Sequence, residues 1–165
     1  MLETERLQLR QLTLTDAPFI IELVNSPGWL KNIGDRHIKT VTEAETYLQN
    51  GPLASYEANG FGLYLVALKA DQTPVGMCGL IKRTYLETPD IGFAFLPAFT
   101  GKGYAAESAT ATMAFAENTL KLPVIAAIVM PTNDPSIKLL AKLGMTYRRQ
   151  LLSPDTNEEL MLFST

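Results

Sequence analysis

The sequence predicts a mixed α/β (α+β) fold built on a central, mostly antiparallel sheet of about seven strands flanked by about four helices. Three observations carry that expectation. Strand-like apolar segments recur along the chain, several separated by short turns that favour hairpins. Helical patterns with start and stop signals stand between others. The 165 residues, 47% hydrophobic and 19% charged with net charge −3, suit one domain over 1–165 rather than a disordered chain. No apolar run approaches the roughly 20 residues that cross a bilayer, and the start MLETERLQLR lacks a secretory core. One cysteine, Cys78, and one histidine, His37, provide neither an internal disulfide nor the usual ligands of a zinc site, so no metal is expected. Mild acidity argues against a nucleic-acid backbone as partner, and nothing points to a membrane. The lone thiol fits a cytoplasmic location.

Residues 6–14 (RLQLRQLTL) alternate and read as the first strand. Asp16 caps a helix begun by Pro18, with Phe19-Ile20-Ile21-Glu22-Leu23-Val24 supplying its apolar stripe, and Ser26-Pro27-Gly28 stops it. A second helix is expected from Thr42 to about Glu57, where Thr42 and Glu45 have capping-box spacing. Strands at 63–68 and 75–81 form a hairpin across Asp71-Gln72-Thr73-Pro74, and 91–96 adds a strand ended by Pro97. A helix then runs to about Leu120, burying Ala105, Ala109, Met113, Ala116 and Leu120. Residues 123–130 are apolar throughout, as in a strand covered on both faces. Asp134 caps a short helix with Pro135 at its first position and Ile137, Leu140 and Leu143 inward, and Gly144 ends it. Strands at 145–152 and 159–163 close the chain.

The segment from Phe95 to Ala105 is the most informative. A strand ends, Gly101 and Gly103 follow, and a helix begins at once. Glycine lets consecutive amides converge, and a helix start adds unpaired donors and a positive dipole end, so a phosphate or pyrophosphate is a natural guest. A plain tight turn explains the same residues equally well. Gly101, Gly103 and Ala106 satisfy a dinucleotide fingerprint, but the following strand lacks the required acidic residue at its end. A Walker loop fails because Gly103 follows Lys102 where Ser or Thr is needed.

The segments "ETERLQLRQLTLTDA", "PVGMCGL", "DIGFAFLPAFTGKGYAAES" and "NDPSIKLLAKLGM", together spread over nearly the whole chain, resemble the GNAT superfamily of acetyl-CoA-dependent N-acyltransferases. The similarity is closest to the ribosomal-protein-alanine N-acetyltransferase-like branch. The family's phosphate motif is Gln or Arg, two residues, Gly, one residue, then Gly or Ala. Gly103 and Ala105 fit it, whereas Thr100 departs from its first position. The resemblance implies a splay between the fourth and fifth strands, with the pantetheine of acetyl-CoA in the gap. It implies backbone contacts from Ala94, Phe95 and Leu96, and a pyrophosphate cradle over Thr100, Gly101, Lys102, Gly103, Tyr104, Ala105 and Ala106. Asn133 matches a family asparagine that contacts the cofactor, with Ser136 in the same turn, although both residue types also serve as helix caps.

The implied reaction is direct attack of a primary amine on the acetyl thioester. Asp90 matches the family's strand-start glutamate and is the candidate base, acting through water because an ordinary Asp pKa near 3.9 is low for direct deprotonation. An exposed carboxylate at the strand start is the alternative. Leu140 occupies the position where relatives place an acidic tyrosine, which leaves Ser136 as the candidate acid, with Tyr104 and Tyr147 as other possibilities. Neutralising an α-amine costs roughly 3.3 kcal/mol less than neutralising a lysine side chain, so a protein or peptide α-amine is the expected acceptor. A small-molecule amine (aminoglycoside, polyamine or amino-acid derivative) and a non-catalytic acyl-CoA-binding module are the alternatives. The acceptor pocket is expected from Trp29-Leu30, the 31–39 segment, and the loops 83–89 and 153–157, with Trp29 itself in the core. His37 is expected in a solvated loop and Cys78 as a buried apolar residue. A monomer and a homodimer are equally compatible with the sequence.

Overall fold

The computed structural model describes all residues, 1–165, in an eight-stranded sheet of order β1-β2-β3-β4-β5-β6-β8-β7. The strands are β1 (Leu2–Glu3), β2 (Leu7–Gln11), β3 (Leu63–Leu68), β4 (Pro74–Ile81), β5 (Asp90–Phe95), β6 (Ala126–Val129), β7 (Thr146–Leu152) and β8 (Glu159–Ser164). Every neighbouring pair is antiparallel except β5 with β6. The strand beyond the expected seven is β1, two residues whose pairing with β2 no apolar alternation announces. The residue 6–14 segment is extended only over β2, because Leu14–Asp16 tighten into a 3-10 turn.

The helices are α1 (Ala17–Val24), α2 (Pro27–Asn32), α3 (Val41–Leu48), α4 (Ala54–Asn59), α5 (Tyr104–Asn118) and α6 (Asp134–Lys142), six where about four were expected. Ser26-Pro27-Gly28 ends α1 but also starts α2, since proline is as well suited to the first position of a helix as to the end of one. The expected 42–57 helix is divided by a π-helical turn at Gln49–Leu53, which accommodates Pro52 without an amide donor. Its cap is Thr40, whose hydroxyl accepts from the Glu43 amide at 3.2 Å, not Thr42. Asp16 stands at the α1 cap position, but its carboxylate takes both Arg10 nitrogens (2.9 Å each) and the Thr13 amide instead of the helix amides. No helix is long and apolar enough to cross a membrane.

Two apolar clusters sandwich the sheet. One, beneath α5 and α6, includes Val66, Cys78, Leu80, Ile91, Ala109, Ala116 and Leu140. The other, beneath α1–α3, includes Leu23, Trp29, Leu48, Leu65, Met77 and Leu96. Helix α5 buries Ala109 and Ala116 as expected, together with Ser108 and Thr112, whose hydroxyls bond back to carbonyls within the helix; Ala105, Met113 and Leu120 are half-buried. Small residues on this face bring α5 close to β4 and β5, and so fix where its N-terminus meets the end of β5.

Candidate active site

Strands β5 and β6 run parallel but touch at one register pair, Asp90 with Ala126, where the Ala126 amide donates to the Pro89 carbonyl at 2.9 Å. Beyond that bridge they part, which places the expected splay between Asp90–Phe95 and Ala126–Val129. Burial falls along β5 in the same direction, from buried Asp90 and Ile91 to half-buried Gly92–Phe95. The result is a wedge, closed at Asp90 and open toward the C-terminal ends of both strands.

The antiparallel ladder decides which backbone groups face this wedge. The Leu96 amide donates to Val75 in β4 at 2.9 Å, and its carbonyl accepts from Phe99 at 2.9 Å. Bonding alternates along an antiparallel strand, so Ala94, opposite Met77, also turns its polar groups to β4. Phe95 and Phe93 turn theirs to the wedge. Of the three backbone positions expected at the cofactor, Phe95 therefore faces the gap, while Ala94 and Leu96 are engaged in the β4 ladder and the following turn. Phe93, in the same strand phase as Phe95, also faces the gap. Strand phase is the signal that would have found it.

At the open end, Pro97–Phe99 form a 3-10 turn, and the Thr100 hydroxyl donates to the Pro97 carbonyl at 2.9 Å. Gly101 (φ +73°) and Gly103 (φ +84°) both adopt left-handed backbone, where a side chain is strained. Gly103 caps α5 without any side-chain partner, and the amides of residues 101–106 donate to no carbonyl or side chain of the protein. Six consecutive unpaired donors at the positive end of a 15-residue helix suit a diphosphate. The wedge's unpaired backbone groups and this corner's free amides fit acetyl-CoA in chemistry.

Arg6, absent from the sequence-based candidates, braces the corner from β1–β2. Its Nε and amide donate to the Glu107 carboxylate (2.7 and 2.8 Å), its Nη1 donates to the Lys102 carbonyl (3.0 Å), and its guanidinium lies 4.5 Å from the Tyr104 ring centroid. Burial opposes the charge on Glu107, but hydrogen bonds from Thr4 and Arg6 hold its carboxyl below the ordinary value. The Tyr104 ring is thus occupied by Arg6 and by Phe99, 6.5 Å away between centroids.

Asn133 follows β6 and is the true cap of α6: its Oδ1 accepts from the Ser136 amide at 3.4 Å, and Asp134 is already helical. The side-chain NH2 of Asn133 donates to no protein group, so capping leaves it available. Ser136 is half-buried in that first turn. Leu140, one turn on, is 2% exposed and packs in the core. By strand direction, Asn133 and Ser136 lie with the glycine corner at the open end, whereas Asp90 lies at the closed end. No contact joins the two catalytic candidates.

Asp90 is 1% exposed, not a surface carboxylate. Its Oδ1 accepts from Arg83 Nε at 2.9 Å and its Oδ2 has no partner. Burial pushes its pKa up to about 6, against the opposing pull of Arg83. Arg83 lies across the β4–β5 connection, seven residues away, a pairing that no sequence periodicity encodes. Trp29 lies in the core as expected, His37 is 85% exposed beside Asp35, and burial pushes the Cys78 thiol up to about 11. Tyr147 is half-exposed against Phe163 in β8, away from the wedge.

Residues 6–146 match the family model described as Acetyltransferase (GNAT) domain. The uncharacterized N-acetyltransferase p20 of Bacillus licheniformis is 30% identical over 145 residues, covering 87% of this chain and 80% of that protein. The crystal structure of an acetyltransferase from Agrobacterium tumefaciens str. C58 superposes with TM-score 0.83 at 26% identity, over 99% of this chain and 92% of that one. RimL, a ribosomal L7/L12 alpha-N-protein acetyltransferase solved in complex with coenzyme A, shares the fold at TM-score 0.82 and 15% identity, over 98% and 94% of the two chains.

Proposed function

The chain belongs to the GNAT N-acetyltransferases, and from that premise we propose that it transfers the acetyl group of acetyl-CoA to the α-amine of a protein or peptide. Acetyl-CoA supplies an acyl group already activated as a thioester. The amides of residues 101–106 bind its diphosphate, and the wedge-facing backbone groups of Phe93 and Phe95 hold its pantetheine arm and donate to the developing oxyanion. The Asn133 side-chain amide donates to the same cofactor from the opposite wall. Asp90 receives the proton of the incoming ammonium. Ser136 stands at the leaving sulfur, where a thiol of pKa near 8.5 requires no strong acid.

The single observation that carries the reading is the buried Asp90 carboxyl, raised to about 6 and so able to act as a base, while the choice of acceptor follows from the amine's own pKa. Moving a proton to it from an α-ammonium of pKa near 8 costs about 3 kcal/mol, and from a lysine ammonium near 10.4 about 6 kcal/mol. The difference is roughly 250-fold in the population of reactive amine. Release of thiol from acetyl-CoA should therefore be much faster with a free peptide N-terminus than with an N-blocked peptide bearing lysine. Equal rates would overturn the assignment.

A further inference from the structure

Two buried side-chain polar atoms in the protein lack a hydrogen-bond partner: Asp90 Oδ2 and Trp29 Nε1. Their residues are 1% and 6% exposed. One is an acceptor and the other a donor. A buried polar atom without a partner costs roughly 1–3 kcal/mol, and tryptophan N–H groups in cores normally find one. Two such atoms on one side of one sheet call for a common explanation.

The register places them on the same side. Asp90 pairs with Ile81 and Ala94 with Met77, and residues two apart on a strand share a face. Asp90, Gly92 and Ala94 therefore project where Met77 does. Met77 belongs to the apolar cluster that contains Trp29, and Ala94 packs on that cluster. Helix α2, which carries Trp29, packs directly against β5, which carries Asp90. Between Asp90 and Ala94 stands Gly92, where a Cβ would come within 3.0 Å of the flexible end of Ile81 and 3.8 Å of Leu63. The strand floor at that point carries no side chain.

We propose that Trp29 Nε1 and Asp90 Oδ2 together recognise an aminoacyl group, the carboxylate taking the α-ammonium and the indole N–H donating to the adjacent carbonyl oxygen. This rests on the acetyl-transfer function above and assigns the residues that read its acceptor. An aminoacyl unit carries one donor and one acceptor three bonds apart, and so offers a partner to each orphaned atom. A polyamine carries donors alone and leaves the indole N–H unpaired in a dry site, a strong basis for rejection. Trp29 thereby acts in specificity, and Asp90 has a binding role that precedes its role as base.

The protein contains a single tryptophan, so its fluorescence reports on Trp29 without labelling. Alaninamide and isopropylamine differ by replacement of the carbonyl-bearing group with methyl, and form the test pair. Alaninamide, added to the protein with coenzyme A, is expected to shift the emission; isopropylamine, spermidine and glucosamine at equal concentration are not. Trp29→Phe, which keeps an aromatic ring and removes the N–H, is expected to lower kcat/KM at least tenfold more for alaninamide than for isopropylamine. An equal loss for both amines, or a stronger emission response to isopropylamine, spermidine or glucosamine, overturns the proposal. Should Trp29→Phe fail to fold, the wild-type emission series decides alone. If the wild-type protein binds coenzyme A yet acetylates no amine, the transfer function falls, while the emission series still decides whether Trp29 reads a carbonyl.

Discussion

Burial and a guanidinium act on Asp90 in opposite directions, and their balance sets the pH at which it can accept a proton. Desolvation is the larger effect, so the carboxyl titrates near 6 despite Arg83 at 2.9 Å. The sign follows directly: a raised pKa keeps the proton on longer as pH rises, so the base form vanishes as pH falls through about 6, not about 4. The acid limb of the kcat/KM profile should fall there. Arg83→Met removes the favourable charge and should move that limb alkaline by about one unit, whereas Arg83→Lys should largely restore it. Asp90→Asn should abolish the limb and lower kcat by about a hundredfold. A profile unmoved in Arg83→Met would show that another group sets the limb. Asp90 entered the sequence analysis only through resemblance to the family's strand-start glutamate. Its burial, its partner Arg83 and the unpaired Trp29 N–H were not legible, because each depends on which segments distant in sequence the fold brings together.

Elements were more legible than single contacts, since periodicity reports a buried face directly. The glycine corner, α5, α6 and the hairpin of β3 with β4 fall close to where the pattern puts them. Caps slipped instead: Thr40 in place of Thr42, and Asn133 in place of Asp134, because neighbouring Thr, Asn and Asp residues offer equivalent oxygens and backbone angles choose among them. Asn133 has two roles that substitution can separate. Asn133→Ser keeps a capping oxygen and loses the amide NH2, while Asn133→Ala loses both. The alanine variant should be destabilised by about 1 kcal/mol, which is about 2–4 °C in Tm for a domain of this size. The serine variant should melt near the parent but show a raised KM for acetyl-CoA at a kcat close to wild type. If serine restores KM along with Tm, Asn133 is a cap and nothing more.

The sheet consists of two blocks, β1–β5 and β6–β8, meeting at one bridge between Asp90 and Ala126. Helix α5 packs on the first block and α6 on the second, so the proposed cofactor walls belong to different blocks. Such a division could not be read from the apolar pattern of either strand, since pairing and splaying use the same residues; it entered the sequence analysis through resemblance alone. Its consequence is mechanical. A ligand lying between β5 and β6 supplies polar partners where the sheet has none, and couples blocks that are otherwise joined narrowly. By linkage, acetyl-CoA at one hundred times its Kd stabilises the native state by about 2.7 kcal/mol. At about 2–4 °C per kcal/mol, Tm should rise by roughly 5–11 °C. Hydrogen exchange should slow most at residues 101–106, whose amides have no partner, and next along the wedge edge of β5, while the outer strand β7 changes little. The pattern distinguishes a wedge ligand from a surface one: protection confined to the outer face of α5, with β5 unchanged, would mean that coenzyme A binds elsewhere and that the parting of β5 from β6 serves no cofactor.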